Sequence, residues 1–251
     1  MGKKAGIWSF LVIFLCLFLL FTGHISTKAD YIKPKDIDLG RLADKVRGYS
    51  VVIFVSRPAE DNAYLGINEY FLDTEIGRYR VFIGAGTVVE GIGILTVNHI
   101  VEERGENGFI FIWSPEISNV IKGVVKRCDI DLDLAIIEPE KSIPGCKIAE
   151  EEPAEGEQIL WIGCPHKMVL WVRFGLMEKI PYMIYVDEAM KFRIKDFHLI
   201  PLLPGGPGDS GGGVFNSRGE LIGVIMKRHD YFPMAFALPM TKEIFKEIFG
   251  Q

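Results

Sequence analysis

A glycine-rich turn near the carboxyl end of the chain presents a single serine. Residues 208–213 read Gly-Asp-Ser-Gly-Gly-Gly and lead directly into the strand-like pair Val214 and Phe215. Turns of this kind let backbone N–H groups point at one spot, where the oxyanion of an acyl-transfer reaction can be held. The pattern therefore indicates that Ser210 is placed for nucleophilic chemistry.

A serine hydroxyl needs a general base, and the chain supplies a candidate base and a candidate acid upstream. His99 lies in the segment Leu-Thr-Val-Asn-His-Ile-Val at 95–101, and Asp133 lies in Asp-Leu-Asp-Leu-Ala-Ile-Ile at 131–137. A carboxylate can hold an imidazole in the tautomer that accepts the serine proton. The three residues follow one another in the order His, Asp, Ser.

Taken together, these segments resemble those of the trypsin-like (chymotrypsin-fold) serine peptidases, and most of all the HtrA/Deg type. That group carries a Thr-x-x-His segment, an Asp-Leu-Ala segment and a Gly-Asn/Asp-Ser-Gly-Gly segment in this order. The segments 84–89, 162–165, 219–224 and 235–239 are also similar to the family's. The resemblance covers residues 49–250, and we expect no PDZ domain of the kind that usually follows in HtrA-type proteins.

The resemblance implies an all-β fold of two antiparallel six-stranded β-barrels. It also implies a serine endopeptidase in which Ser210 attacks a peptide carbonyl, His99 transfers the proton and Asp133 orients the imidazole. The backbone N–H groups of Gly208 and Ser210 would form the oxyanion hole. The substrates would be proteins or peptides, and neither a cofactor nor a metal is implied.

The same resemblance places a primary specificity pocket beside the serine. Pro204, Gly205 and Gly206 would line it, and Ile225 and Met226 would border it. No acid lies at the position that gives trypsins their preference for Arg and Lys, and Ile225 stands where glutamate-specific relatives carry a histidine. We therefore expect apolar walls.

The acid is one of three alternating aspartates, Asp129, Asp131 and Asp133, which also read as a solvated strand face or the start of a calcium loop. Leu134 stands where an EF-hand loop needs glycine, and an apolar strand-like run follows, which argues against calcium. Asp133 is preferred over Asp131 because it directly precedes that run, as the acid does in the family.

The residue before the serine is Asp209, where HtrA-type enzymes usually carry Asn. In trypsins this acid pairs with a new N-terminus released by cleavage, whereas the N-terminus here belongs to an apolar segment. A buried unpaired carboxylate is costly. We therefore expect a nearby Lys, Arg or backbone donor to pair with Asp209.

Short β-like runs separated by Gly, Pro and Asp or Asn follow residue 48, as expected for barrels. The clearest runs are 51–55, 109–113, 120–125, 159–162 and 168–174.

Three other segments complete the predicted organisation. Residues 30–48 are predicted to be a linker with a short helix over 39–46, and 49–251 to be the protease domain. The stretch 57–79 is predicted to be a long loop, either a plain surface insertion or a border of the cleft. Residues 241–249 are amphipathic and begin with Thr241, which predicts a C-terminal helix.

The N-terminal segment differs in character from the rest. Lys3 and Lys4 precede an apolar run at 7–21, which predicts an apolar helix that serves as a secretory signal or a short membrane anchor. Residues 27–29 form a weak cleavage site, so residues 1–29 are either a cleaved signal or a retained anchor. The two lysines favour a body outside the cytoplasm.

Charge and cysteine content limit the partners. The formal net charge is −5, and loss of residues 1–29 removes three lysines and no acid, which gives −8. An acidic body argues against nucleic acid as the main partner. A Cys128–Cys146 bridge is possible in an exported protein, and no Cys/His cluster has zinc-site spacing. The histidines without a partner motif, expected to be structural or exposed, are His24, His166, His198 and His229.

Two other functions compete with the peptidase interpretation. A catalytically inactive binding module on the same fold is one, and the complete His-Asp-Ser set argues against it. An esterase is the other, but the Gly-x-Ser-x-Gly elbow with Ser before Asp before His is absent.

Overall fold

The structure, a computed structural model, describes residues 38–59, 69–74, 77–165, 169–181, 198–202, 204–228 and 235–250. The predicted N-terminal apolar helix, and with it the signal or anchor at 1–29, lies outside the described residues. None of the helices that the structure describes is long and apolar enough to cross a membrane.

The described residues form an almost entirely β structure with three helices. The strands are β1 (Ser50–Pro58), β2 (Glu69–Thr74), β3 (Gly77–Val89), β4 (Gly93–Val97), β5 (Phe109–Trp113), β6 (Ile121–Asp129), β7 (Leu134–Pro139), β8 (Gln158–Gly163), β9 (Trp171–Leu176), β10 (Ile180–Pro181), β11 (His198–Leu202), β12 (Gly213–Phe215), β13 (Leu221–Arg228) and β14 (Ala235–Pro239). The helices are α1 (Leu39–Gly48), α2 (Asn98–Glu102) and α3 (Lys242–Phe249).

The first sheet closes into the predicted six-stranded antiparallel barrel. Its order is β1-β5-β6-β7-β4-β3-β2, and β1 also pairs with β3. Strand β2 therefore lies outside the closed ring, attached to the first half of β3. From Val81 to Val89 every residue of β3 is buried, because this strand packs on both the barrel interior and the second sheet.

The second sheet does not repeat this closure in the part of the chain that the structure describes. Its order is β10-β11-β14-β13-β12-β8-β9, so it is an open sheet where a second closed barrel was predicted. Its end strands, β10 and β9, do not pair with each other among the described residues.

A hydrophobic cluster joins the two sheets. It contains Val51 and Ile94 from the first sheet together with Leu160, Phe215 and Leu221 from the second. Full burial of an aliphatic or aromatic side chain of this size stabilises a fold by about 1.5–3 kcal/mol. The apolar faces of the two sheets therefore pack against each other, which leaves a cleft room only at the edges of their interface.

Helix α1 belongs to this body although residues 30–48 were predicted to be a linker. Its Leu42 and Val46 are buried in the cluster that joins the sheets. The Lys45 ammonium donates to the Arg218 carbonyl at 2.8 Å, which ties the helix to the turn before β13. The short helix predicted over 39–46 is confirmed.

The C-terminal helix α3 is also confirmed. Thr241 caps it, with the side-chain oxygen accepting from the Ile244 N–H at 3.3 Å. Phe245, Ile248 and Phe249 are buried against the core.

The long loop predicted for 57–79 is wrong in most of its described part. Strand β1 continues to Pro58, and β2 pairs with the start of β3. Cross-strand contacts hold this pairing, because Arg80 Nε donates to Glu69 at 2.6 Å and the Arg78 guanidinium lies 3.9 Å from the Phe71 ring centroid. The loop prediction failed because these contacts come from residues on two different strands.

The Cys128–Cys146 bridge that the sequence left possible does not form. Cys128 is exposed on β6, whereas Cys146 is buried beside β3, and both are free thiols. The Cys146 thiol lies 3.3 Å from the Val88 carbonyl, and burial raises the pKa of Cys146 to about 12. The two cysteines face different environments, so no bridge forms.

Candidate active site

A cleft lies where the glycine-rich turn of the second sheet meets β3 and α2 of the first barrel. Three of the residues singled out from the sequence, His99, Gly208 and Ser210, line it. Its other lining residues are Glu69, Phe82, Ile83, Ile100 and Glu103.

The short helix α2 delivers His99 to the cleft. Strand β4 ends at Val97 and the helix begins at the next residue. A Cβ on Gly84 would overlap the Ile100 side chain, so glycine at this point of β3 allows α2 to pack closely. The His99 side chain is 47% exposed at the mouth of the cleft.

Asp133 holds His99 through two hydrogen bonds. Its Oδ2 lies 2.6 Å from His99 Nδ1, and its Oδ1 accepts from the His99 backbone N–H at 2.7 Å. Since an ionised carboxylate is only an acceptor, this contact requires the proton on Nδ1, and in the neutral imidazole Nε2 then carries the lone pair. A histidine held in this tautomer can accept a proton at Nε2.

The backbone around Asp133 is arranged for this contact. Asp133 has a φ of 52°, a left-handed conformation that aspartate tolerates better than most residues. Its carbonyl accepts from the Asn98 N–H at 3.0 Å, and Asp129 Oδ1 accepts from the Leu132 N–H at 3.0 Å. The aspartates at 129 and 133 therefore have different contacts, one within the turn and one with the histidine.

Glycine is required on both sides of Ser210. Gly208 has a φ of 96° and Gly211 a φ of 82°, both in the region that L side chains avoid. A Cβ on Gly208 would overlap the Cys164 carbonyl, and a Cβ on Gly211 would overlap the Ala85 carbonyl. The turn therefore lies directly against β8 and β3.

Backbone hydrogen bonds fix the turn, and two of its N–H groups have no backbone acceptor among the described residues. Ala85 N–H donates to the Ser210 carbonyl at 2.9 Å, and Gly211 N–H donates to the Ile225 carbonyl at 2.7 Å. Within the described ranges, the N–H groups of Gly208 and Ser210 donate to no backbone carbonyl. These are the two donors that the sequence predicted for an oxyanion.

The predicted partner of Asp209 is found in Arg173 and a backbone amide. Arg173 Nη1 and Nη2 donate to Asp209 Oδ2 and Oδ1 at 2.8 and 2.6 Å, and Gly206 N–H donates to Oδ2 at 2.7 Å. The side chain of Asp209 is 1% exposed and that of Arg173 12%. The fork geometry makes this the strong, charge-assisted form of ion pair.

A profile of the trypsin-like peptidase domain matches residues 84–224, which is more than half of the chain. The chain belongs to the trypsin-like peptidase family. The match begins on β3 before His99 and extends through Asp133 and Ser210.

Curated relatives of this trypsin-like chain include two named proteases. A probable periplasmic serine endoprotease DegP-like from Pseudomonas putida (strain GB-1) is 26% identical over 169 residues, which cover 64% of this chain and 33% of the relative. A serine protease HtrA-like from Staphylococcus epidermidis is 25% identical over 208 residues, which cover 78% of this chain and 35% of the relative. The matched region thus spans about a third of the length of these relatives.

Solved structures agree in fold. AlgW, an HtrA-type protease determined with a decapeptide, superposes with a TM-score of 0.63 at 17% identity and covers 83% of this chain and 66% of that one. An inactive form of Rv3671c from M. tuberculosis H37Rv gives 0.59 at 16% identity, covering 86% and 92%. The trypsin-like fold is therefore established over most of the chain.

The five residues predicted for the specificity pocket lie on the loop before Ser210 and on β13 of this trypsin-like protein. Ile225 and Met226 are buried on β13, and Pro204 is exposed at the start of the loop that leads to Ser210. The backbone of Ile225 bonds to the turn through Gly211 and Gly212. Among the described residues that line the cleft, none of the five occurs.

Two glutamates that the sequence did not single out, Glu69 and Glu103, border the cleft. Glu69 pairs with Arg80, and Glu103 lies 3.3 Å from Arg57. Neither sits in a motif, and Glu69 fell within the stretch predicted to be a loop. That stretch does border the cleft, as one of its two interpretations held. Across the described residues, no three His, Cys, Asp or Glu side chains are grouped to hold a metal ion.

Proposed function

We propose that the protein is a serine endopeptidase that hydrolyses peptide bonds through an acyl-enzyme. Ser210 is the nucleophile, His99 the general base and acid, and Asp133 the group that orients the imidazole. The observation that carries the proposal is the His99–Asp133 pair, with contacts of 2.6 and 2.7 Å, whose histidine lines the same cleft as Ser210. Membership in the trypsin-like family supports it.

The geometry suggests the following steps. Ser210 Oγ attacks the peptide carbonyl while His99 Nε2 takes its proton, and the Asp133 carboxylate stabilises the imidazolium. The oxyanion accepts from the N–H groups of Gly208 and Ser210. In a known protease, loss of one oxyanion donor raises the barrier by about 3–4 kcal/mol. The leaving amine then takes the proton from His99, and water releases the acyl group by the reverse sequence.

A fluorophosphonate probe tests this assignment against a binding module on the same fold. Fluorophosphonates phosphonylate an activated serine, so we expect stoichiometric labelling on the peptide that contains Ser210. Heat-denatured protein is the control, because labelling needs the assembled site. A folded protein that cleaves neither casein nor peptides and takes up no label would contradict the peptidase proposal.

We propose apolar P1 specificity for this peptidase. Ile225 and Met226 are apolar, and Pro204, Gly205 and Gly206 add no charge to the predicted pocket. A peptide-library profile should favour Val, Ala or Leu at P1. The preference should be graded, since a hydrophobic pocket discriminates by about 1–3 kcal/mol per methylene. A profile dominated by Arg, Lys or Glu at P1 would contradict this pocket.

We propose that the catalytic body works outside the cytoplasm, either released or held at a membrane by the N-terminal segment. The apolar run at 7–21, or 7–23 with Thr22 and Gly23, would reach about 23–26 Å as a helix, against a hydrocarbon core of about 30 Å, and local thinning can close such a gap. The Pseudomonas relative is named a probable periplasmic protease. Protease added to intact cells or spheroplasts should digest the body. Full-length protein confined to the cytosol would contradict both the signal and the anchor.

A further inference from the structure

Strand β9 reaches into the loop that carries the proposed oxyanion donors. Besides its two bonds to the Asp209 carboxylate, Arg173 Nη1 donates to the Pro204 carbonyl at 3.0 Å. One guanidinium therefore contacts both ends of the loop 204–209. Its side chain also lies 5.9 Å from the Trp161 ring of the neighbouring strand β8, which supports it from one side.

The loop closes around the Asp209 carboxylate. Gly206 N–H donates to Asp209 Oδ2 at 2.7 Å, and Asp209 N–H donates back to the Gly206 carbonyl at 3.2 Å. The carboxylate also fits tightly against β8. A Cβ on Gly163 would lie 2.7 Å from Asp209 Cα and would overlap its carboxylate.

Asp209 is the residue between the two proposed oxyanion donors. Its carbonyl shares a peptide group with the Ser210 N–H, and its own N–H shares one with the Gly208 carbonyl. The orientation of Asp209 therefore sets the direction of the Ser210 N–H directly and constrains Gly208, the residue that carries the other donor. A carboxylate this buried is stable only while a cation or several donors satisfy it. Without Arg173, the favourable response is for Asp209 to turn toward water and to move these peptides with it.

We propose that Arg173 is a positioning residue. Its ion pair with Asp209 holds the 204–210 loop in the conformation that aims the Gly208 and Ser210 N–H groups at the cleft. The inference rests on the proposed peptidase function. It adds that a side chain of strand β9, which does not touch the substrate, holds the oxyanion loop in place.

The test measures kcat and KM on one peptide substrate for wild type, Ser210→Ala, Arg173→Met and Arg173→Lys. Arg173→Met should lower kcat about 10²–10³-fold, the loss that follows removal of an oxyanion donor, and should change KM much less. Arg173→Lys should lose at least tenfold, because a single ammonium cannot reproduce the fork. Arg218→Met is the matched control, since Arg218 pairs with Glu220 in an exposed position in the turn between β12 and β13, and it should retain wild-type kcat.

A double-mutant cycle separates positioning from general structural damage. In the Asp209→Asn background no buried carboxylate needs a cation, so Arg173→Met should cost at least tenfold less than it does in wild type. Equal losses in both backgrounds would overturn the ion-pair mechanism, as would a folded Arg173→Met enzyme with wild-type kcat.

Folding defects and failure of the peptidase assignment have separate signatures. Thermal unfolding is recorded for each variant. If Arg173→Met does not fold, Arg173→Lys decides, and its wild-type kcat would overturn the proposal. A wild-type protein with no activity above Ser210→Ala would refute the peptidase function itself. An active wild type with an equally active Arg173→Met would refute only the role of Arg173.

Discussion

Replacing Ser210 with alanine is expected to lower kcat for peptide hydrolysis by about 10³–10⁶-fold while the protein stays folded. The substitution removes the attacking oxygen and leaves the donors of the proposed oxyanion hole in place. The turn should survive, because its shape is set by backbone bonds such as Ala85 N–H to the Ser210 carbonyl and by the glycines around it. Steady-state kinetics on a fluorogenic peptide and a thermal melt measure the two halves of this result.

Two comparisons make the Ser210 result specific. Ser217→Ala removes a hydroxyl in the turn between β12 and β13 and should retain full activity. His99→Ala should resemble Ser210→Ala, and the double variant should cost little more than either, because a nucleophile and its base act as one unit. Undiminished casein cleavage by folded Ser210→Ala protein would end the assignment of the nucleophile.

The parts of the site that the sequence predicted well depend on local backbone chemistry. Gly208 and Gly211 adopt conformations that other residues avoid. The turn that presents Ser210 can therefore be recognised from a few consecutive residues. Asp133 likewise lies at a strand start that the apolar run after it marks. That His99 contacts Asp133 and lines the same cleft as Ser210 was expected from the family resemblance that these segments carry, and local pattern alone did not predict it.

The parts that the sequence missed depend on contacts between distant strands. Arg173 reaches Asp209 across 36 positions, and nothing around it in β9 distinguishes it from a solvent-facing arginine. Strand β2 exists through pairs such as Glu69 with Arg80, whose partners lie on different strands. The need for a cation beside Asp209 could be inferred from burial, but its identity required the fold.

The open second sheet has a similar cause. Resemblance to a family predicts a closed barrel, whereas closure in a particular chain depends on whether the end strands are long enough to pair. Among the described strands, the ladder of the second sheet stops at β10 on one side and β9 on the other. Arg173 lies on that β9 edge, which ties the oxyanion loop to the less enclosed half of the molecule.

Asp133→Asn is expected to lower kcat by about 10⁴-fold, the size of the loss when the orienting aspartate of a known triad is changed to asparagine. The amide keeps the size of the side chain, and its oxygen can still accept from the His99 backbone N–H. The amide lacks the negative charge that stabilises the imidazolium. Because an amide can also donate, it no longer fixes the tautomer in which Nδ1 carries the proton and Nε2 is the base. KM should change little, because Asp133 is not among the described residues that line the cleft.

Asp131→Asn is the matched control for this prediction. Asp131 lies two residues away in the same alternating run, and it was the competing candidate for the acid. If the 2.6 Å contact between Asp133 and His99 is what matters, Asp131→Asn should keep kcat within about threefold of wild type, since exposed surface substitutions change free energies by about 0.5 kcal/mol or less. The opposite pattern, with activity lost in Asp131→Asn and kept in folded Asp133→Asn, would transfer the orienting role to Asp131. Wild-type activity in both variants would mean that His99 works without either carboxylate.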